Sequence, residues 1–201
     1  SPFVLSTPRL QSETDIHINI PFNDARLDNL FSMRQESKSY NEIKDILGIP
    51  DKHATLFEDL FTDNSPGRQK FNYKEHETRI RYYGHACILI ENKNINILID
   101  PFIGYKIADL NTHFTYEDLP DQIDYVLITH NHQDHILFET LIQLRYKIKK
   151  VIIPKSNSGF LADPSLKLIL NKMGFNYIIE LDDLSSIEIP NGKITGIPFL
   201  G

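Results

Sequence analysis

The residues best suited to chemistry form a short run of histidine and aspartate near the middle of the chain. Residues 130–135 read His-Asn-His-Gln-Asp-His, the pattern H-x-H-x-D-H, and contain three of the chain's eight histidines. Neutral imidazole nitrogens and carboxylate oxygens are ligands that zinc, iron and similar divalent metals accept. A polar loop with three chance histidines is the alternative, but histidine is too rare elsewhere for that density. The pattern therefore predicts a metal site, and we expect it to be dinuclear.

The predicted strands that precede this run explain how it would be positioned. The apolar segment 125–128 directly before it is typical of a buried strand, which would deliver the ligands at a sheet edge. Earlier in the chain, residues 80–90 and 95–99 alternate in a way that predicts a hairpin around the turn 92–94. That hairpin ends at Asp100-Pro101, because proline cannot continue a hydrogen-bonded ladder.

The rest of the chain divides into an N-terminal part of different texture and a C-terminal part of alternating elements. Residues 1–75 are polar, and short amphipathic helices are predicted over 25–35 with Asp24 as cap, from Ser39 or Asn41 to Gly48, and over 53–61. We predict that this part is a helical appendage and that 76–201 form the main domain. The main domain should continue with helices over 137–147 and 164–172, strands over 151–153 and 177–181, and a final hairpin of 186–189 with 193–200.

Composition narrows the class of protein. The chain has 201 residues, 41% hydrophobic and 24% charged, which suits one good hydrophobic core with a small addition. Its net charge of -6 argues against a general nucleic-acid partner. No apolar run is long enough to span a bilayer, no signal peptide is recognisable, and the single Cys87 suits a reducing compartment. We therefore expect a cytoplasmic protein without a transmembrane segment.

Four segments together resemble the metallo-β-lactamase superfamily. They are Gly84-His85-Ala86, the strand end at 97–101, the strand at 124–129, and the H-x-H-x-D-H run at 130–135. The resemblance covers about 79–201 and implies an αββα sandwich with a metal site at the edge of two sheets. Two branches are similar: hydrolases, and diiron β-hydroxylases that act on carrier-bound amino acids in nonribosomal peptide assembly. The ending at 196–201 is more similar to the second branch.

The resemblance also implies roles for individual residues. His130 and His132 would hold one metal, whereas Asp134 and His135 would hold the other, and Asp134 would orient a nucleophile. Asp100 and His85 are candidates to support these ligands from outside, with turn capping and ordinary structural roles as their alternatives. The remaining ligands of the family find no match before residue 201, so we expect a domain truncated at its C-terminal end. Asp182 and Asp183 are expected to cap a turn, and Thr129 to satisfy backbone groups at its strand end.

Three hypotheses for function stay open. The first is a metallohydrolase in which two metals, zinc rather than iron, activate water to attack a small-molecule ester, lactone or phosphodiester. The second is a diiron oxygenase of the same fold, with a carrier protein as partner. The third is a non-catalytic fragment with an incomplete metal site.

Overall fold

The centre of the molecule is one mixed β-sheet. The computed structural model describes residues 15–64, 77–105, 113–156 and 164–198. Six strands lie in the order β1 to β6; the first three pair antiparallel, and β3 to β6 pair parallel. Their bounds are β1 Thr78–Gly84, β2 Cys87–Asn92, β3 Asn96–Ile99, β4 Ile123–Leu127, β5 Ile148–Pro154 and β6 Ile178–Leu181. The parallel strands therefore bring their carboxyl ends to one edge of the sheet.

The antiparallel part differs from its prediction in one way that matters for the site. Residues 80–90 form two strands, because the chain turns back at Gly84 and His85, which have φ values of 113° and 50°. Glycine adopts such angles without cost, and histidine does so more often than most residues. The apolar alternation does not reveal this tight turn, since both flanking strands continue the same period. His85 consequently lies at the tip of a hairpin.

Two helices cover the parallel strands. They are α4 Phe138–Leu144 and α5 Leu166–Lys172, and both were predicted, with Ser165 observed as the cap of α5. Leu141 and Leu144 of α4 are fully buried with Val126 and Val151 of the sheet in one hydrophobic cluster. Burial of these apolar side chains fixes the strand ends relative to one another. One mixed sheet covered by helices corresponds to one half of the αββα sandwich that the resemblance implies.

A smaller cluster holds the N-terminal helices together. These are α1 Ala25–Ser32, α2 Tyr40–Leu47 and α3 Ala54–Glu58, and Asp24, Ser39 and Gly48 act at their ends as the sequence predicts. The cluster is built on Ile43, Leu47, Ile49 and Phe57. Part of the predicted boundary region, residues 65–76, lies outside the described residues.

Arg145, just after α4, joins this N-terminal part to the sheet domain. Its Nε donates to Asp28 Oδ1 over 2.9 Å, and its Nη2 donates to the Asp24 carbonyl over 2.9 Å. The guanidinium also contacts the carbonyls of Phe22 and Met173. Because Arg145 is itself buried, these acceptors are needed to compensate for its lost hydration.

The last hairpin forms a separate two-stranded sheet. It consists of β7 Ser186–Ile189 and β8 Gly192–Thr195, so the second strand ends earlier than the predicted 193–200. Residues 199–201 lie outside the described part. Among the described residues, no helix is long and apolar enough to cross a membrane.

Candidate metal centre

The H-x-H-x-D-H run lies where the carboxyl ends of β3 and β4 meet. It follows β4 after two residues, and Asp100 follows β3 directly. The Asp100 backbone N–H donates to the Leu127 carbonyl over 2.9 Å, so the two strand ends stay in register beyond the sheet. Parallel pairing thus places a carboxylate from one strand beside imidazoles that follow the next.

The carboxylate of Asp100 holds two residues of the site, Thr129 and His135, by hydrogen bonds. Asp100 is buried, and its φ of 42° is one that aspartate tolerates better than most residues. Its Oδ1 accepts from the Thr129 backbone N–H over 2.8 Å, and its Oδ2 accepts from the Thr129 hydroxyl over 2.6 Å. His135 Nδ1 lies 2.8 Å from the same Oδ2. Asp100 therefore contacts a predicted ligand directly, as the sequence analysis proposed.

The three imidazoles of the motif are packed against one another. The ring centroid of His130 lies 4.5 Å from that of His132 and 4.0 Å from that of His135. The turn that gathers them is closed by hydrogen bonds from the backbone N–H groups of His135 and Ile136 to the His132 carbonyl. The structure thus brings the predicted histidines together.

Asp134 and His85 lie next to each other and next to His135. His85 Nε2 lies 3.0 Å from Asp134 Oδ2, and the His85 ring packs edge-on against His135 at 5.1 Å. One ligand atom from each of His85, Asp134 and His135 falls within 4.8 Å of the other two, which is close enough to share a metal ion. Sequence reasoning named His85 from the resemblance alone, since its place in a tight turn was not foreseen.

The surroundings of two predicted ligands, His130 and Asp134, favour the protonation states that bind metals. Burial, followed by the neighbouring His135 and His132, lowers the pKa of His130 below its usual value. A hydrogen bond from its own backbone N–H lowers the pKa of Asp134, and His135 and His85 add to the effect. A neutral imidazole and an ionised carboxylate are the protonation states that a metal needs.

The donor set fits a borderline divalent metal. The motif supplies imidazole and carboxylate groups. Cys87 is buried in β2, where burial raises the pKa of its thiol to about 12. Such burial disfavours the thiolate, the form of cysteine that binds metals and attacks substrates. Iron, manganese and zinc all accept such nitrogen and oxygen donors.

A small polar cavity of about 210 Å³ adjoins His130. Lys155 and Asp183 line it together with Thr129, and Lys155 Nζ pairs with Asp182 Oδ2 over 2.7 Å. Asp182 also accepts the Ser185 backbone N–H at its carbonyl, so it closes a turn as predicted. A larger apolar groove lies between the N-terminal helices and α4 and α5, and no motif residue lines it.

Thr129 is the residue whose role sequence reasoning missed. We expected it to satisfy backbone groups, but its hydroxyl contacts the Asp100 carboxylate and lies 2.9 Å from His130 Nδ1. The available signal was its position directly before the first ligand, after a strand that runs parallel to the one carrying Asp100. Reading that signal requires the strand pairing, which a single sequence does not state.

Comparison with known families places the chain in a class. Residues 79–198 match the model of the "Beta-lactamase superfamily domain", so the chain belongs to that superfamily. Residues 1–66 match a second model, the "Diiron non-heme beta-hydroxylase N-terminal domain". The resemblance seen in the sequence is therefore confirmed in both its superfamily and its second branch.

Individual relatives agree with this class. A 4-amino-L-phenylalanyl-[CmlP-peptidyl-carrier-protein] 3-hydroxylase of Streptomyces venezuelae is 33% identical over 99% of this chain and 38% of its own length. The crystal structure of CmlA, a diiron β-hydroxylase from the same species, has a TM-score of 0.77 at 33% identity over 92% of this chain and 34% of that one. A UPF0173 metal-dependent hydrolase of Shouchella clausii is 39% identical, but over only 29% of this chain and 23% of its own. The chain thus spans well under half the length of these relatives.

These findings correct two expectations. The hydrolase interpretation was wrong, because similarity across nearly the whole chain is to diiron β-hydroxylases. The preference for zinc over iron was wrong for the same reason. Both errors have one physical origin, since imidazole and carboxylate ligands suit either metal and the motif alone does not select between them.

Proposed function

We propose that this chain forms part of a diiron β-hydroxylase that acts on an amino acid bound to a peptidyl carrier protein. The observation that carries the proposal is the extent of similarity to the hydroxylase of S. venezuelae, which includes the N-terminal part as well as the metal-motif domain. The hydrolase match, by contrast, extends over only 29% of this chain. An N-terminal part matched to a hydroxylase-specific domain favours oxygenation within a superfamily that also contains hydrolases.

The proposed ligands follow from the packing at the ends of β3 and β4. His130 and His132, with rings in contact, would hold one iron, and Asp134 and His135 would hold the other. Bound there, the two irons would activate O₂, so that one oxygen atom enters a C–H bond and the other leaves as water with two electrons and two protons from a reductant. With hydrolysis set aside, Asp134 is proposed as a ligand and not as the residue that orients an attacking water.

Asp100 and His85 are proposed to position the ligands. Asp100 accepts from His135 Nδ1, which leaves Nε2 of that ring as the metal-binding nitrogen. His85 lies against Asp134 from a turn with positive φ, and such strain in a non-glycine residue is typical of functional positions. Its side chain would hold the carboxylate of Asp134 in one orientation.

We also propose that residues 1–75 and 76–201 act as two units held together by Arg145. The hydrogen bonds from Arg145 to Asp28 and to the carbonyl of Asp24 tie the N-terminal helices to the end of α4. A carrier protein that delivers a substrate to the metal site would then meet a surface of fixed shape. The relative's printed name supports the carrier protein as the partner class.

The first experiment is element-resolved metal analysis of the natural full-length protein. We expect about two irons per chain, in keeping with a dinuclear site. His130→Ala should lose most of this iron, whereas His17→Ala, which changes an exposed histidine of the N-terminal part, should keep it. A protein that holds zinc and no iron after growth with both metals would contradict the proposal.

The second experiment measures the reaction. The reduced protein is mixed with isotopically labelled O₂ and a peptidyl carrier protein loaded with an aminoacyl thioester. We expect the aminoacyl group to gain one labelled oxygen atom, and the free amino acid to gain none. Oxygenation of the free amino acid at an equal rate would exclude the carrier protein as the required partner.

A further inference from the structure

The hydroxyl of Thr129 lies close to three side chains of the candidate metal centre. Its side chain is solvent-exposed, yet its hydroxyl lies 2.6 Å from Asp100 Oδ2, 2.9 Å from His130 Nδ1 and 3.4 Å from His135 Nδ1. Its backbone N–H also donates to Asp100 Oδ1 over 2.8 Å. The residue therefore bridges a buried carboxylate and the first imidazole of the motif.

The direction of each hydrogen bond follows from what each group can donate. A carboxylate only accepts, so the short contact with Asp100 uses the single proton of the Thr129 hydroxyl. The oxygen of Thr129 then has only lone pairs to offer to His130, and Nδ1 of His130 must carry the proton. The 3.4 Å contact with His135 is too long to compete, and His135 Nδ1 is closer to Asp100.

We propose that Thr129 is a positioning residue that extends the influence of Asp100 to His130 and fixes the His130 tautomer with its lone pair on Nε2. One carboxylate thereby orients two imidazoles, His135 by direct contact and His130 through the Thr129 hydroxyl. In metal sites, such outer partners of a ligand imidazole hold the ring and raise its basicity. The link from tautomer to metal affinity rests on the proposed function, whereas the tautomer itself does not.

The test uses the natural full-length protein with ¹⁵N-labelled histidine, first without metal. In the wild type and in Thr129→Ser, we expect NMR to find the His130 proton on Nδ1. Thr129→Val has nearly the same shape but no hydroxyl, and it should move the proton wholly or partly to Nε2. Thr195→Val is the matched control, because Thr195 is also exposed and its hydroxyl also bonds a side chain, that of Ser186, over 2.8 Å.

The second readout is the affinity for Fe²⁺, measured anaerobically by competition with a coloured chelator. Thr129→Val should bind about 10- to 100-fold more weakly, the usual effect of removing an outer partner of a ligand. Thr129→Ser and Thr195→Val should keep the wild-type affinity.

Each outcome separates this inference from the proposed function. A wild-type His130 that carries its proton on Nε2 would overturn the inference, whether or not the valine variant folds. Wild-type affinity in a folded Thr129→Val would overturn it as well. A wild-type protein that binds no Fe²⁺ would instead overturn the proposed function, and the tautomer of His130 would still decide the inference.

Discussion

The β2–β3 hairpin carries a buried carboxylate at each end, and the two are used in opposite ways. Glu91, near the turn, is 1% exposed and accepts from Arg81 Nε over 2.7 Å, from Arg81 Nη2 over 2.8 Å and from Arg79 Nη2 over 3.0 Å. Asp100, after β3, is also 1% exposed, but its partners are the Thr129 hydroxyl and backbone N–H and a histidine ring. Glu91 is thus paired with permanently charged arginines. Asp100 is instead hydrogen-bonded to a neutral hydroxyl, a neutral backbone N–H and an imidazole that can be neutral.

The difference teaches how partners decide whether a buried carboxylate serves stability or function. Arginine keeps its charge at every accessible pH, and Arg81 directs Nε and Nη2 at the carboxylate, so the charge of Glu91 is balanced by permanent cations. An imidazole donates with one nitrogen and keeps the other for a further partner. At the Asp100 end, an imidazole can therefore hydrogen-bond the carboxylate with one nitrogen and bind a metal with the other. Three predictions test this contrast, in order of decreasing effect.

Glu91→Gln should produce the largest loss of stability. It removes the carboxylate that pairs with the buried guanidinium of Arg81, and breaking a buried ion pair costs about 3–5 kcal/mol. Chemical denaturation should show this decrease in the free energy of unfolding, while the Fe²⁺ affinity of the folded protein stays the same. Glu188→Gln, an exposed change in β7, is the control and should stay within about 0.5 kcal/mol. Lost Fe²⁺ affinity in Glu91→Gln would remove the contrast between the two ends.

Asp100→Asn should have its main effect on metal binding. Asparagine tolerates the positive φ at this position, so the backbone is not strained by the change. Its amide is uncharged and mismatched to three donors, and we expect Fe²⁺ affinity to fall about 10- to 100-fold. The loss of stability should be smaller than for Glu91→Gln, because Asp100 forms no ion pair with an arginine that the change would break. A larger loss than in Glu91→Gln would mean that Asp100 is the main structural carboxylate.

Lowering the pH should have the smallest effect on stability, and it should act through His130, beside the Asp100 end. The pKa of His130 is lowered in the folded protein, so as pH falls through about 6.5 the unfolded chain takes up a proton that the folded His130 resists. The free energy of unfolding of the metal-free protein should therefore decrease between pH 7.5 and 5.5, owing to His130. Denaturant titrations of wild type and His130→Gln check this, and the variant should lose part of the slope. An equal slope in both would exclude His130 as a contributor.

Much of the site could be predicted because its signals are local. A short segment suffices to recognise each of the H-x-H-x-D-H run, the apolar strand before it and the Asp100-Pro101 strand end, and the structure brings Asp100 beside His135 of the run. The turn at His85 was missed because both flanking strands share one period. The role of Thr129 was missed because its partner lies 29 residues away on a neighbouring strand.

What the sequence determined by itself was the class of ligand, the superfamily and the order of helices and strands, because residue type and periodicity are properties of short segments. The tertiary structure alone decided which carboxylate faces which imidazole, since parallel pairing of β3 with β4 brings Asp100 to Thr129 and His135. Neither a zinc site nor an iron site could be read from the motif, because the two metals accept the same donors. Similarity over the N-terminal part as well as the motif domain points to the diiron hydroxylases.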